Sequence, residues 1–395
     1  MTQLRWFTAG ESHGPALTAI VEGVPAGLEL TEERIRADLA RRQKGYGRGK
    51  RQEIEVDWAE ITAGVRHGKT MGAPIAMWIR NNDWENANWK VRMSVGPIDE
   101  VVDPVTLLRP GHADLAGTQK YNLDDVRPIL ERSSARETAA RVAVGAIARA
   151  LLSTLGVTIH SHVLRVGSVE ASPPPPEAID WAAVEGSPVR IADPSAEQRM
   201  IDEIDAAKAA NDTIGGIFEV RASGLPFGLG SHVHWDRKLD GRIAQAFLAI
   251  HAVKGVEIGD AWENAGKRGS QVQDIILPRQ QWTDRPWQRL TNRAGGLEGG
   301  MTNGEDIVVR GALKPISTVP QRMPTADLLT GDETTSFYER SDACVVPAAG
   351  VIGEAMLAIV LATAALEKFG GDHIDEFRRN FQGFNATVGP RTVRD

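Results

Sequence analysis

The sequence predicts an α+β fold in which apolar helices lie buried between sheets. Two segments carry most of that prediction. Ala135–Leu155 is packed with Ala, Val and Gly, and Glu354–Phe369 is Ala-rich with Leu, Ile and Met. Both are apolar around most of their circumference, so neither has a polar face to offer water. Strand-like runs flank them, and the strands and helices alternate at irregular spacing with no fixed repeat.

Along the chain, Leu4–Thr8 and Leu17–Val24 read as strands around a tight loop, Gly10–Pro15. Thr31 is placed to cap a helix whose first turn holds Glu32 and Glu33, favourable at the positive end of the dipole. Ile35 and Leu39, one turn apart, mark its buried face, and it should end near Gly45. Ser195–Asn211 and Asp236–Ile250 are amphipathic and should lie nearer the surface. Glu219–Gly224 and Ile307–Leu313 read as strands, and the second buried helix is expected to start near Gly353. The proline run Pro173–Pro176 reads as a linker or a surface loop; without a disordered stretch beyond it, the loop is preferred and residues 1–395 are read as one large domain.

Composition narrows the function classes. The 395 residues are 42% hydrophobic and 25% charged, as expected of a globular protein, and the formal charge of −7 does not favour nucleic acid as a partner. The single cysteine, Cys344, excludes an intrachain disulfide framework and suits a reducing compartment. Met1–Phe7 lacks the apolar run of a secretory signal. The most apolar stretch, Ala355–Leu366, has 12 residues where roughly 20 are needed to cross a bilayer. A cytoplasmic protein with no membrane span is expected.

Five segments stand out chemically. Arg41–Arg51 concentrates six basic side chains in eleven residues, with glycines that let the backbone fold around a small anion. From the residues alone a solvated, mobile basic loop is the preferred reading, and a nucleic-acid patch is a weak one, since Tyr46 is its sole aromatic residue. In Arg132–Thr138, Ser134 and Glu137 have the spacing of a capping box, and serines and arginines at a helix start suit a phosphate; the alternative is a plain capped helix. His13 and His112 sit in glycine-containing turns, where a histidine either transfers protons or serves structure. Neither has a second His or Cys at ligand spacing, so no metal is expected. Gly295–Gly304 holds five glycines in ten residues, suited to close approach of a flat ligand or to a pair of tight turns, and Lys314–Thr318 follows with a lysine and hydroxyls. Arg340 and Asp342 form either an ordinary ion pair or an anion clamp with a base. Trp78, Trp84 and Trp89 read as interface anchors or as a packed hairpin.

Taken together and in order, these segments resemble chorismate synthase. Gly10-Glu11-Ser12-His13-Gly14, Arg109-Pro110-Gly111-His112-Ala113-Asp114, Arg132-Ser133-Ser134-Ala135-Arg136-Glu137-Thr138, the stretch from His251 to Gly259, the glycine-rich loop and Lys314-Pro315-Ile316-Ser317-Thr318 are collinear with that family's signatures, over nearly the whole chain. The resemblance implies a β-α-β sandwich with central buried helices, usually a homotetramer. It also implies a lyase of the shikimate pathway that performs an anti-1,4-elimination of phosphate from 5-enolpyruvylshikimate 3-phosphate and requires reduced FMN. By the same resemblance, Arg42, Arg48, Arg51, Arg109 and Arg136 contact the substrate, and Arg42 and Arg48 also occupy NADP-type positions. FMN would be held by Arg132, Ser133, Ser134, His251, Ala252, Gly299, Lys314, Pro315, Ile316, Ser317, Thr318 and Arg340. His13 would donate a proton to the departing phosphate, His112 would protonate or polarise the flavin, and Asp342 would help deprotonate its N5. The flavin would be reduced with NADPH or by an external flavin reductase. The chain departs from the family pattern at Arg127–Glu131, where many relatives carry glycines, and at His251, where relatives often have Asn or Gln.

Overall fold

Alternation of apolar and polar residues builds a first, antiparallel sheet from β1 (Arg5–Ala9), β2 (Ala16–Glu22), β3 (Ala59–Ala63) and β4 (Ile75–Arg80), in the order β1-β2-β4-β3. Leu17, Ala19 and Val21 of β2 and Ile75, Met77 and Ile79 of β4 point inward and are fully buried, as the two-residue period of a strand requires. Phe7, Ile20 and Trp78 stand on the opposite, exposed face. The computed structural model describes residues 4–49, 55–277, 287–337, 339 and 341–390.

The helices follow from local chemistry. α1 (Glu32–Gln43) begins at Thr31, whose hydroxyl accepts from the Arg34 amide, and buries Ile35 and Leu39 as its spacing predicts. The short helices α2 (Ala87–Arg92) and α3 (Arg127–Arg132) precede α4 (Thr138–Ser153). α4 starts after a 3₁₀ turn at Ala135–Glu137 and has all but three of its sixteen residues buried. The predicted capping box does not form there. Ser134 accepts from the Arg136 amide, whereas the Glu137 carboxylate turns to the Thr8 hydroxyl and to Arg141.

A second antiparallel sheet contains β5 (Thr158–Val166), β6 (Val169–Glu170), β7 (Gly216–Ser223), β8 (Val253–Ile258) and β9 (Ile307–Leu313), in the order β8-β9-β7-β5-β6. α5 (Leu239–Leu248) covers its β8 edge and is shorter than the predicted Asp236–Ile250, because Trp235–Arg237 forms a separate 3₁₀ turn. The last long helix, α6 (Val346–Phe369), begins seven residues before the expected start near Gly353. Pro347 falls in its first turn, where a proline loses no intrahelical hydrogen bond. α6 is apolar and long enough to span a membrane, but here it lies buried in the protein.

α4 packs on β2, α6 packs on β5 and β7, and the two helices pack on each other with α1 beside them. The layers are therefore sheet, helices, sheet, the predicted α+β sandwich with central buried helices. One apolar core runs from Leu4 to Phe377 through all of them. At its centre Glu354 of α6 is fully buried. It receives two hydrogen bonds from Arg41 (2.7 and 2.8 Å), one each from Arg149 (3.2 Å) and Arg190 (3.3 Å), and one from the Ser161 hydroxyl (2.6 Å). Burial opposes the charge on Glu354, yet Arg41 and Arg149 hold its carboxyl below the usual range.

Candidate active site

The N-terminal end of α6, the start of α4 and the connecting segments around His13, Gly49, Gly111, His251, Ser317 and Asp342 enclose a cavity of about 690 Å³. That lies within the size range of small-molecule sites. Arg42, Arg48, Arg92, Arg109, Arg136 and Lys314 line it, against the carboxylates Glu55, Glu339 and Asp342. Val345, Ala348, Ala349 and Ile352 of α6 and its approach, with Leu130, Ile250 and Leu313, add an apolar surface. A cationic cavity with an apolar wall suits a flat ring that carries acidic groups.

The basic segment Arg41–Arg51 is no solvated loop in its described part. Successive side chains of α1 diverge: Arg41 enters the core at Glu354, and Arg42 enters the cavity wall. Arg42 donates to Thr138 Oγ1 (2.9 Å), to the Ala135 carbonyl (3.1 Å) and to Asp57 (3.1 Å). Burial pushes its guanidinium down to about 10, with Asp57 opposing the change. Arg136 donates to the same Asp57 carboxylate and to Asn81 Oδ1 (2.9 Å), so one buried carboxylate orients two arginines. Gly47 takes a positive φ of 89° where a Cβ would meet Cys344, and this turn brings Arg48 back to Asp342 (3.0 Å). The Asp342 carboxylate also accepts from the Gly49 amide. Arg51 and Arg340 lie outside the described residues.

Both predicted histidines reach the cavity, each against a buried carboxylate. His13 Nδ1 contacts both oxygens of Glu131 (2.9 and 3.0 Å), and its ring stacks on Trp89 with centroids 3.8 Å apart. Burial opposes the charge on Glu131, but hydrogen bonds from His13 and the charge of Arg127 hold it below the usual carboxylate range. His112 Nδ1 contacts Asp114, which Arg109 grips in a fork through Nε (2.8 Å) and Nη2 (3.0 Å). Burial again opposes ionisation, yet His112 and Arg109 lower Asp114 to about 2. Arg109 also donates to Thr318 Oγ1 (3.2 Å).

Ser133, Ser134, His251, Ala252, Lys314, Ile316, Ser317 and Thr318 line the same cavity. Lys314 Nζ donates to the Gly111 carbonyl (3.1 Å) and to Ser317 (3.0 Å), tying its turn to that of His112. His251 Nδ1 and Arg48 Nε are buried with no hydrogen-bond partner among the described residues. Burial, then the charge of Arg141, pushes the His251 imidazole down to about 4, so the ring is neutral at neutral pH. Two orphaned polar atoms, hydroxyls and cations along an apolar wall fit a flavin with its phosphate.

Among the described residues, three that the sequence predicts for the site do not line the cavity. Arg132 is held by the carbonyls of Thr8 (2.8 Å) and Gly10 (3.0 Å) and braces the N-terminal hairpin. Pro315 is likewise outside the lining. Gly299 sits in the turn of a two-stranded hairpin, Leu297–Glu298 with Met301–Thr302, so the glycine-rich loop makes tight turns here. Sequence reasoning missed Trp89, Arg92, Glu55 and Asp57. The tryptophan segment is a 3₁₀ turn followed by α2, and not a hairpin, which sets Trp89 over His13. Glu55 and Asp57, two residues apart in extended chain after the basic segment, are the one signal that would have marked a buried acidic backing for the arginines.

Residues 4–366 match the family model described as chorismate synthase. A chorismate synthase of Rubrobacter xylanophilus is 54% identical over 382 residues, covering 97% of this chain and 96% of that protein. One of Salinispora tropica is 53% identical over 390 residues, covering 96% and 98%. A crystal structure of chorismate synthase superposes with a TM-score of 0.77 at 44% identity, covering 98% of both chains. With the fold, the cavity and these matches in agreement, the chain belongs to the chorismate synthase family.

Proposed function

We propose that the cavity binds reduced FMN and 5-enolpyruvylshikimate 3-phosphate together, and that the protein is a carbon–oxygen lyase releasing chorismate and phosphate. The observation that carries this reading is the convergence of His13, His112, Asp342, Arg42, Arg48, Arg109 and Arg136 on one cavity from turns up to 329 residues apart. Family membership supports the same reaction, an anti-1,4-elimination without net redox change.

Reduced flavin, when bound, would supply electron density to the substrate ring and take up the hydrogen that the elimination removes along with the phosphate. The chain supplies position and protons. Arg42, Arg48, Arg109 and Arg136 meet the phosphate and the two carboxylates of the substrate, with Asp57, Asp342 and Asp114 fixing each guanidinium in advance. His13 gives a proton from Nε2 to the departing phosphate oxygen. His112 holds a proton at the flavin site with Asp114 behind it, and Asp342 accepts one. Ser133, Ser134, Lys314, Ser317 and Thr318 hold the FMN phosphate and ring edge, and His251 offers a neutral imidazole.

Anaerobic phosphate release with dithionite-reduced FMN and no net flavin oxidation tests the reading. Hydride consumption in proportion to product would reject it in favour of an oxidoreductase. NADPH used by the enzyme itself and a separate flavin reductase are the two sources of reducing equivalents, and NADPH oxidation by purified protein with FMN identifies the first. The protein acts in the cytoplasm as one large domain and assembles as a homotetramer, for which the exposed apolar face of Phe7, Ile20 and Trp78 provides contact surface. Sedimentation in solution tests the assembly.

A further inference from the structure

We infer that Glu131 is a positioning residue for the reaction: it keeps a proton on His13 Nδ1, which leaves Nε2 as the nitrogen that exchanges protons in the cavity. The inference rests on the reading of His13 as the proton donor. Glu131 lies on α3, 118 residues away in sequence from the turn that carries His13, and its side chain is completely buried. Its carboxylate meets the histidine twice. Oε2 accepts from the His13 backbone amide (2.7 Å), and both oxygens lie within hydrogen-bonding distance of Nδ1.

A carboxylate that already accepts from a backbone amide and from Arg127 (3.2 Å) has only acceptor capacity to offer the ring. Nδ1 must therefore be the protonated nitrogen whenever the imidazole is neutral. The Glu131 carbonyl accepts from the Ser12 amide (3.1 Å), and Arg127 is pinned in turn by Glu339 (2.9 Å). Trp89 fixes the ring plane from above, with the Arg127 guanidinium 5.4 Å from the centroid of the indole. Asp83 Oδ2 is 3.8 Å from Nε2, too far to hold that nitrogen by a hydrogen bond. The ring is thus fixed in plane, in tautomer and in direction, and one nitrogen is left for chemistry.

Glu131→Gln isolates this role. The His13 amide requires an acceptor, so the glutamine carbonyl must take the Oε2 position and its NH2 must face Nδ1. A donor at the Oε1 position, the nearer of the two to Nδ1 at 2.9 Å against 3.0 Å, favours the proton on Nε2. Nitrogen NMR of histidine-labelled, flavin-free protein reads this directly, with the His13 signal assigned by its loss in His13→Asn and recorded where the ring is neutral. The expected result is an Nδ1–H ring in the wild type and an Nε2–H ring in Glu131→Gln. Turnover in the variant should fall roughly 100- to 10,000-fold, the range of a misdirected general acid, with KM little changed. A wild-type His13 carrying its proton on Nε2 overturns the inference, and so does a Glu131→Gln protein with unchanged tautomer or turnover. Should the variant fail to fold, the wild-type tautomer still decides. Absence of phosphate release by the wild type would reject the proposed reaction instead, which the flavin-free spectrum does not depend on.

Discussion

Gly145 and Ala355 bring the two central helices into backbone contact: a Cβ placed on Gly145 would lie 2.3 Å from the Cβ of Ala355 and 2.6 Å from its Cα. No rotamer relieves a contact of that kind, because both atoms are fixed to their backbones. Gly145→Ala should therefore lower stability by about 1–3 kcal/mol through overpacking. That exceeds the roughly 1 kcal/mol that alanine gains over glycine in a helix. Denaturant unfolding measures the difference, and a variant as stable as the parent would mean the helices can move apart freely.

Among the described residues, Asp57 is the carboxylate that both Arg42 and Arg136 contact. Asp57→Asn keeps the shape and removes the charge, leaving two buried guanidinium groups under-compensated. The expected cost is about 3–5 kcal/mol in stability. Affinity for phosphate-bearing ligands should also change, since both arginines lose their anchor. Thermal unfolding together with the KM for substrate checks both halves, and a melting point within a degree or two of wild type would contradict the first.

Glu354 permits a cleaner separation of stability from chemistry. It does not line the cavity, yet it binds Arg41, Arg149 and Arg190 at the centre of the core. Glu354→Gln should destabilise the fold by about 3–5 kcal/mol while the folded fraction turns over nearly as wild type does. Its carboxyl is held below the usual range, so its stabilising effect is present above the unfolded value of about 4.3 and fades as pH falls below it. The glutamine variant should lose less stability on acidification than the parent does.

His251 makes a prediction at milder pH. Its folded value is about 4, against roughly 6.5 in an unfolded chain. Below the unfolded value the unfolded chain takes up a proton that the folded one refuses, so stability falls as pH drops from about 6.5 toward 4. His251→Gln removes that loss. Unfolding free energies at neutral pH and at the lower end of this window should differ less in the variant, and an equal difference would argue against a neutral buried imidazole.

Much of the fold was legible because the signals were local. Uniformly apolar composition marked α4 and α6, and the Thr31 cap with Ile35 and Leu39 marked α1. The start of α6 was not legible, since Val346-Pro347-Ala348-Ala349-Gly350 reads as loop until tertiary packing buries it. The histidines and most of the arginines were legible through their motifs. Their carboxylate partners were not: Glu131 meets His13 across 118 residues and Asp57 meets Arg136 across 79, and no short-range pattern encodes such pairings. The hold on Arg132 was not legible for the same reason, as carbonyls of β1 and its following turn accept from its guanidinium.

α6 begins at Val346, next to the cavity. Its first two turns form the floor of the cavity, and its remaining length is locked between α4 and the second sheet. The floor thus inherits the stiffness of the whole interior, and no ligand can deepen the cavity without prying apart the molecule's centre. Accommodation of ligands of different bulk falls to the rim, built of short turns and of α2, a six-residue helix with no buried residue. Changes in ligand range should therefore arise around Trp89 and Arg92 long before they arise at Ala348 or Ile352.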